Sequence, residues 1–228
     1  MVCLQIIKEA WMDTTRIGTL PVILSIAVIG IVESAAYTLF QPSLITTGIS
    51  RCLEIIFILA VFYLYYRDAA PLGLARNQIL PGIKKGLIWS AGFGAVSAVI
   101  GLCLLLCGIN PLQLIHVSLP DTFPQLFLFY FIGGIIAPIG EEIFFRGIIY
   151  GYVRRLLYGK LKTNGVLIAL TISTFLFVYA HQTGGSIPLP QLVGGIVFCL
   201  CFEIEKKLAA PMVIHCLGNI ALFTISLV

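Results

Sequence analysis

Apolar and polar positions in this chain separate on the scale of whole helices. Long runs nearly free of charge recur at about residues 20–40, 45–66, 86–106, 123–157, 165–181 and from 211 to the C-terminus, with a shorter one at 192–202. A helix rises 1.5 Å per residue, so ~20 apolar residues cross a bilayer core of ~30 Å. The pattern predicts an all-α, polytopic integral membrane protein of seven to eight transmembrane helices. Residues 1–17 hold Lys8, Glu9, Asp13 and Arg16 and read as an interfacial N-terminal segment on the cytoplasmic side.

The polar connections fall into two alternating sets. Segments 67–85, 154–162 and 203–207, with the N-terminal segment, carry Lys and Arg; segments 41–44, 109–122 and 182–190 carry neither. Basic loops favour the cytoplasmic face, which predicts a cell-membrane protein with its N-terminus inside and its C-terminus outside. That parity requires a single crossing between 122 and 154. The apolar stretch there would measure ~50 Å as straight helix, too long for one crossing. Gly133, Gly134, Pro138 and Gly140 lie within it. The expectation is a helix ending near Ala137 and a second starting at Glu141, with its carboxylates on a first turn whose free N–H groups favour them.

Composition agrees. The chain has 228 residues, 59% hydrophobic and 11% charged, against about 25% charged in a soluble domain. The formal charge of +4 is spread over short clusters between spans, which argues against nucleic-acid binding. The cysteines at 3, 52, 103, 107, 199, 201 and 216 lack zinc-site spacing and read as small buried hydrophobes. No internal repeat or linker divides the chain, so 1–228 is expected to form one membrane domain.

Charges inside the apolar runs are the candidate chemistry, because an ion in lipid is costly and faces a protein interior or a wet cavity. Glu33, Arg51 and Glu54 sit in the first two spans, and Arg51 and Glu54 are three apart, which suits mutual neutralisation. Glu141, Glu142 and Arg146 form the second group. Glu142 and Arg146 are four apart and share a helix face; Glu141 is turned about 100° away. Phe177 and His181 are four apart, as are His215 and Asn219. His116 lies in an uncharged loop and reads as incidental.

Glu141-Glu142-x-x-x-Arg146, Phe177-x-x-x-His181 and His215-x-x-x-Asn219 resemble, in order and spacing, the three signature motifs of the CAAX-protease and bacteriocin-processing family, also called the abortive-infection family, which includes the Ras-converting prenyl endopeptidases. The resemblance covers about residues 120–225, the expected catalytic core. It implies an intramembrane glutamate-type endopeptidase acting on a membrane-associated, prenylated or bacteriocin-like peptide. Glu141 and His181 would hold and activate a water, and His215 and Asn219 would form the oxyanion hole. Glu142, Arg146 and Phe177 would support them. No cofactor is expected. A zinc ion on Glu141, His181 and His215 is the alternative, although no HExxH helix is present. A non-proteolytic scaffold or immunity protein of the same family and a small-solute transporter are the other readings; the missing repeat counts against the last.

Span counting leaves one mismatch. It puts His181 at the outer end of its span and His215 near the inner end of the last one, whereas a shared site needs them together. The expected remedy is a 182–190 loop that dips into the membrane, or tilted helices around it.

Overall fold

The computed structural model describes residues 17–115, 117–182 and 188–227. The N-terminal segment falls almost wholly outside that range, as do His116 and most of the 182–190 loop. Among the described residues the chain is helical, with no strand. Seven long helical runs succeed one another: α1 (Thr19–Leu39), α2 (Leu44–Tyr66), α3 (Arg76–Leu106), α4 (Phe123–Leu161), α5 (Thr163–Ala180), α6 (Leu189–Glu205) and α7 (Ala209–Ile225). Five of them are long and apolar enough to cross a membrane, and α7 is a shorter apolar helix. α1 packs on α2, α3 on α7, and α5 between α4 and α6. Ile88, Val99 and Leu106 of α3 are strongly exposed, as befits a surface whose solvent is hydrocarbon.

Local signals explain several boundaries. Ser43 caps α2 by accepting from the Thr46 N–H, and Arg67 closes that helix in the left-handed conformation at φ 61°. α3 corrects the loop expected at 67–85: the helix begins at Arg76 and continues through Lys84 and Lys85. Charge marks where a helix leaves the apolar layer, not where its hydrogen bonding stops.

The larger correction is in α4. No helix ends near Ala137. The run is unbroken over 39 residues, with wide π turns at Ile132–Ile136 and Glu142–Tyr150 set among α-helical pieces. Ile136 at φ −67°, ψ −50° and Ala137 at φ −62°, ψ −49° keep helical backbone angles into Pro138. Proline removes one N–H and crowds the preceding turn; the chain accommodates this by widening the turn. Glu141 and Glu142 are therefore mid-helix residues, without the free N–H groups of a helix's first turn.

The depth mismatch resolves where α4 turns into α5 and where α6 passes into α7. Glu203, near the end of α6, binds Arg154 of α4. From Arg154, α4 runs on to Leu161, ~10 Å further, before α5 turns back. α5 needs ~27 Å from Thr163 to reach His181, and α4 spans ~30 Å from Leu161 back to Glu141, so the two antiparallel runs come level. α7, by contrast, starts deep. Leu208 is fully buried, its N–H donates to the Gly73 carbonyl, and a Cβ on Gly147 would lie 3.2 Å from it. Gly147 is ~9 Å along α4 from Glu141. His215, in the second turn of α7, reaches the same level from the other side.

Two apolar clusters hold these levels. One gathers Ile58, Phe62, Leu72, Ile143, Ile148, Tyr150 and Leu208; the other gathers Phe145, Phe177, Phe198, Ala210 and Ile214. Along the α3–α7 seam, a Cβ on Gly86 would stand 2.7 Å from both the Ala210 carbonyl oxygen and Val213 Cβ, whereas one on Gly92 would meet nothing within 4 Å. Gly86→Val is expected to cost about 1–3 kcal/mol through overpacking, read as a lower melting temperature of the purified protein. Gly92→Val is expected to melt with the parent.

Candidate active site

The site forms where α4, α5 and α7 come level, and its foundation is charged. Arg146 and Glu142 are fully buried, with the Arg146 Nη1–H donating to Glu142 Oε1 at 2.9 Å. A second guanidinium N–H points to the Gly195 carbonyl of α6 at 3.4 Å. The guanidinium plane lies over the Phe177 ring at 4.3 Å and the Phe198 ring at 5.2 Å. Rings facing a desolvated cation supply attraction that water would otherwise give. Glu142 Oε1 also sits 2.8 Å from His215 Nδ1, so that nitrogen carries a hydrogen and donates it. Among the described residues, Glu142 Oε2 and Arg146 Nε have no hydrogen-bond partner.

The ring plane of His215 is thereby fixed, with Nδ1 turned to Glu142. Its ring stacks on Phe198 at 4.6 Å and 25°, and meets Phe177 edge-on at 5.7 Å. Its other nitrogen, Nε2, lies 3.7 Å from Glu141 Oε2. His181, the residue that closes α5, is arranged the same way. Its Nδ1 is 2.8 Å from the Phe177 carbonyl and must donate to it, and its Nε2 lies 3.5 Å from Glu141 Oε2. The two imidazoles thus present Nε2 to one carboxylate oxygen, each held by a hydrogen bond behind it. Both separations exceed a direct hydrogen bond of about 2.7–3.2 Å.

Exposure separates the roles. The Glu141 and His181 side chains are 18% and 27% exposed, those of Glu142, Arg146 and His215 are 5% or less. The first pair is reachable from outside; the second group is frame. Asn219 does not join the cluster through any hydrogen bond to it. Its amide donates to the Gly133 carbonyl at 2.8 Å, one turn of α7 beyond His215. Among the described residues, no group of three or more His, Cys, Asp or Glu is arranged to hold a metal ion.

Beside the site, α5 and α6 line a half-open apolar cavity of about 410 Å³, with residues including Thr174, Val178, Tyr179, Gln182, Leu192 and Ile196. No periodicity in the sequence announces it, because two helices with separate patterns make it jointly. Two ion clusters frame the neighbourhood. Arg51 pairs with Glu33 at 2.7 Å and with Glu54, the neutralisation expected from spacing. The structure adds that Arg51 lies within electrostatic reach of Glu141 and that α2 presses Ile55 toward Gly140. Farther along, Glu203 takes two hydrogen bonds from Arg154, at 2.7 and 3.0 Å, another from Tyr150, and an ion pair from Lys206 at 3.1 Å. The sequence shows these as separate loop charges, with no local signal that they meet.

Residues 123–221 match the family model described as type II CAAX prenyl endopeptidase Rce1-like. The match contains α4, α5, α6 and most of α7, and with them every motif residue. A curated relative, the membrane-embedded CAAX protease MroQ of Staphylococcus aureus (strain USA300), is 36% identical over 95 residues, which cover 40% of this chain and 36% of that protein. The match thus spans little more than a third of that relative's length. No solved structure matches.

Glu142→Gln is expected to destabilise the fold by about 3–5 kcal/mol, since it strands a buried guanidinium. The double change Glu142→Gln with Arg146→Met should cost less than the two single changes summed, as measured by unfolding in a denaturant series. Burial lowers the Lys206 ammonium to about 7 against the opposing pull of Glu203. The folded state then binds fewer protons than the unfolded one between about pH 7 and 10, so this residue makes stability rise with pH across that window. Lys206→Met should flatten that part of a melting-temperature profile.

Proposed function

We propose that this protein, whose residues 123–221 match the Rce1-like CAAX prenyl endopeptidase family model, is an intramembrane endopeptidase that hydrolyses a peptide bond of a membrane-associated peptide through a water activated by Glu141 and His181. The observation that carries the reading is the convergence of His181 Nε2 and His215 Nε2 on Glu141 Oε2 at 3.5 and 3.7 Å, with each ring locked from behind. Two imidazole nitrogens and a carboxylate oxygen, spaced too widely to bond one another, favour a shared water.

In this mechanism Glu141 removes a proton from the water, whose oxygen attacks the scissile carbonyl carbon. The carbonyl π electrons move to oxygen. The Nε2–H of His215, whose Nδ1 is held by Glu142, and the second N–H of Asn219 oppose that charge. Collapse breaks the C–N bond, and the proton held at Glu141 passes to the departing amine. Phe177 and Phe198 keep the cationic frame in place and exclude water from it. The cavity between α5 and α6, with Tyr179 and Gln182 next to His181 in the chain, suits an apolar side chain or a lipid group on the substrate. The basic segments face the cytoplasm of a cell membrane, with the N-terminus on that side. A zinc ion on Glu141, His181 and His215 and a non-proteolytic scaffold are the competing readings.

A library of membrane-associated peptides, prenylated and not, incubated with the purified protein tests the reading. Glu141→Gln and His181→Ala are each expected to lower kcat by ~10²–10⁴ while melting with the parent. Cleavage should persist in the presence of a strong chelator. Loss on chelation with recovery on added zinc would transfer the chemistry to the metal. A parent protein that cleaves nothing, together with biological function retained in both variants, would leave the scaffold.

A further inference from the structure

The first two spans precede the matched stretch 123–221, yet they bring three charges into the apolar layer. Glu33 on α1 and Glu54 on α2 both hold Arg51: its Nη2 lies 2.7 Å from Glu33 Oε1, and its Nη1 meets Glu54 Oε2. Ions within a membrane span are costly and mark function. Mutual neutralisation alone gives little reason to keep them, since well-packed apolar residues in place of a buried ion cluster often stabilise a fold as well or better. The cluster calls for a task outside itself.

Packing shows where it faces. α2 runs alongside α4 in the same direction: a Cβ on Gly48 would lie 2.6 Å from Ile132, and one on Gly140 would lie 3.4 Å from Ile55. Arg51 stands three residues after Gly48 and four before Ile55, on the helix face that both contacts define. Glu141 follows Gly140 directly. Carboxylates on α1 and on its own helix hold the guanidinium, so its place is fixed from two sides. Three side chains attract Glu141: His181 from α5, His215 from α7 and Arg51 from α2. Imidazole titrates near neutrality, whereas a guanidinium stays charged. Arg146, the guanidinium on the same helix as Glu141, is engaged by Glu142.

We infer that Arg51 is a positioning residue for the reaction: held by Glu33 and Glu54 on the α4-facing side of α2, it supplies the permanent positive charge that balances Glu141 in its base-competent form. Through it α1 and α2 belong to the active site, although the three sequence motifs lie wholly in α4, α5 and α7. Glu33 and Glu54 keep the guanidinium in place. The inference rests on the proposed protease reading.

A set of variants separates the charge from the pairing. Arg51→Met is expected to lower kcat by about tenfold or more with little change in KM. It also strands two carboxylates, so it should melt below the parent. Arg51→Met/Glu33→Gln/Glu54→Gln strands none: it should melt close to the parent and still show the loss in kcat. Arg51→Lys keeps the charge, and its kcat should stay nearer to that of the parent than to that of Arg51→Met. A triple variant that cleaves like the parent reduces the cluster to self-neutralisation; it overturns the inference and leaves the protease reading intact. Arg51→Lys as impaired as Arg51→Met overturns the inference as well. A parent that cleaves nothing sinks the protease reading and the inference with it. Where the triple variant does not accumulate as folded protein, Arg51→Lys decides: parent-like kcat supports the inference, and a loss of about tenfold or more in folded protein overturns it.

Discussion

One buried carboxylate oxygen organises the site. Glu142 Oε1 accepts from Arg146 on its own helix and from His215 on α7, and Arg146 reaches on to α6 through Gly195. An ion pair with no water around it is a poor source of net stability, because desolvation offsets most of the attraction. It is a strong source of specificity: each partner has one place to go, and a misplaced one leaves a bare charge in hydrocarbon. Phe145, Phe177 and Phe198 surround the pair and make the alternatives worse. This frame delivers two imidazole nitrogens to Glu141 at defined angles.

The motif residues were legible in the sequence because helical spacing is local. Glu142 with Arg146 is an i, i+4 pair and forms as one; Phe177 supplies the carbonyl for His181 four residues on. Arg51 and Glu54 follow the same rule. The reading went astray where the outcome depends on contacts far apart in the chain. Pro138 signalled a helix end, yet the helix continues through a wide turn whose Gly133 carbonyl accepts from Asn219, on another helix. Lys84 and Lys85 signalled a loop, although only their depth distinguishes them from the rest of α3. Glu203 and Arg154 gave no sign of each other across 49 positions.

The assembly of His181 with His215 has a similar lesson. Counting spans against a fixed slab treats every turn as lying at the membrane surface. Here the α4–α5 turn projects past the level of the Arg154–Glu203 pair, while the connection into α7 is drawn inside and capped by Leu208 against Gly73. The two displacements have opposite sense, and together they bring the end of one helix level with the beginning of another. Apolar packing under Gly147 makes the inner connection tolerable, since the backbone groups at Leu208 and Gly73 satisfy one another there.

The wide turns have a consequence for how α4 is wound. A π turn takes in an extra residue, so the side-chain rotation before it is out of phase with the rotation after it. Phe123–Phe131 and Gly151–Leu161 are thus two separately phased spirals joined through an adjustable middle. Lipid contacts can set the facing of one end and the Glu203 cluster that of the other. The segment between them, which bears Glu141, is free to adopt the angle that its neighbours on α5 and α7 require.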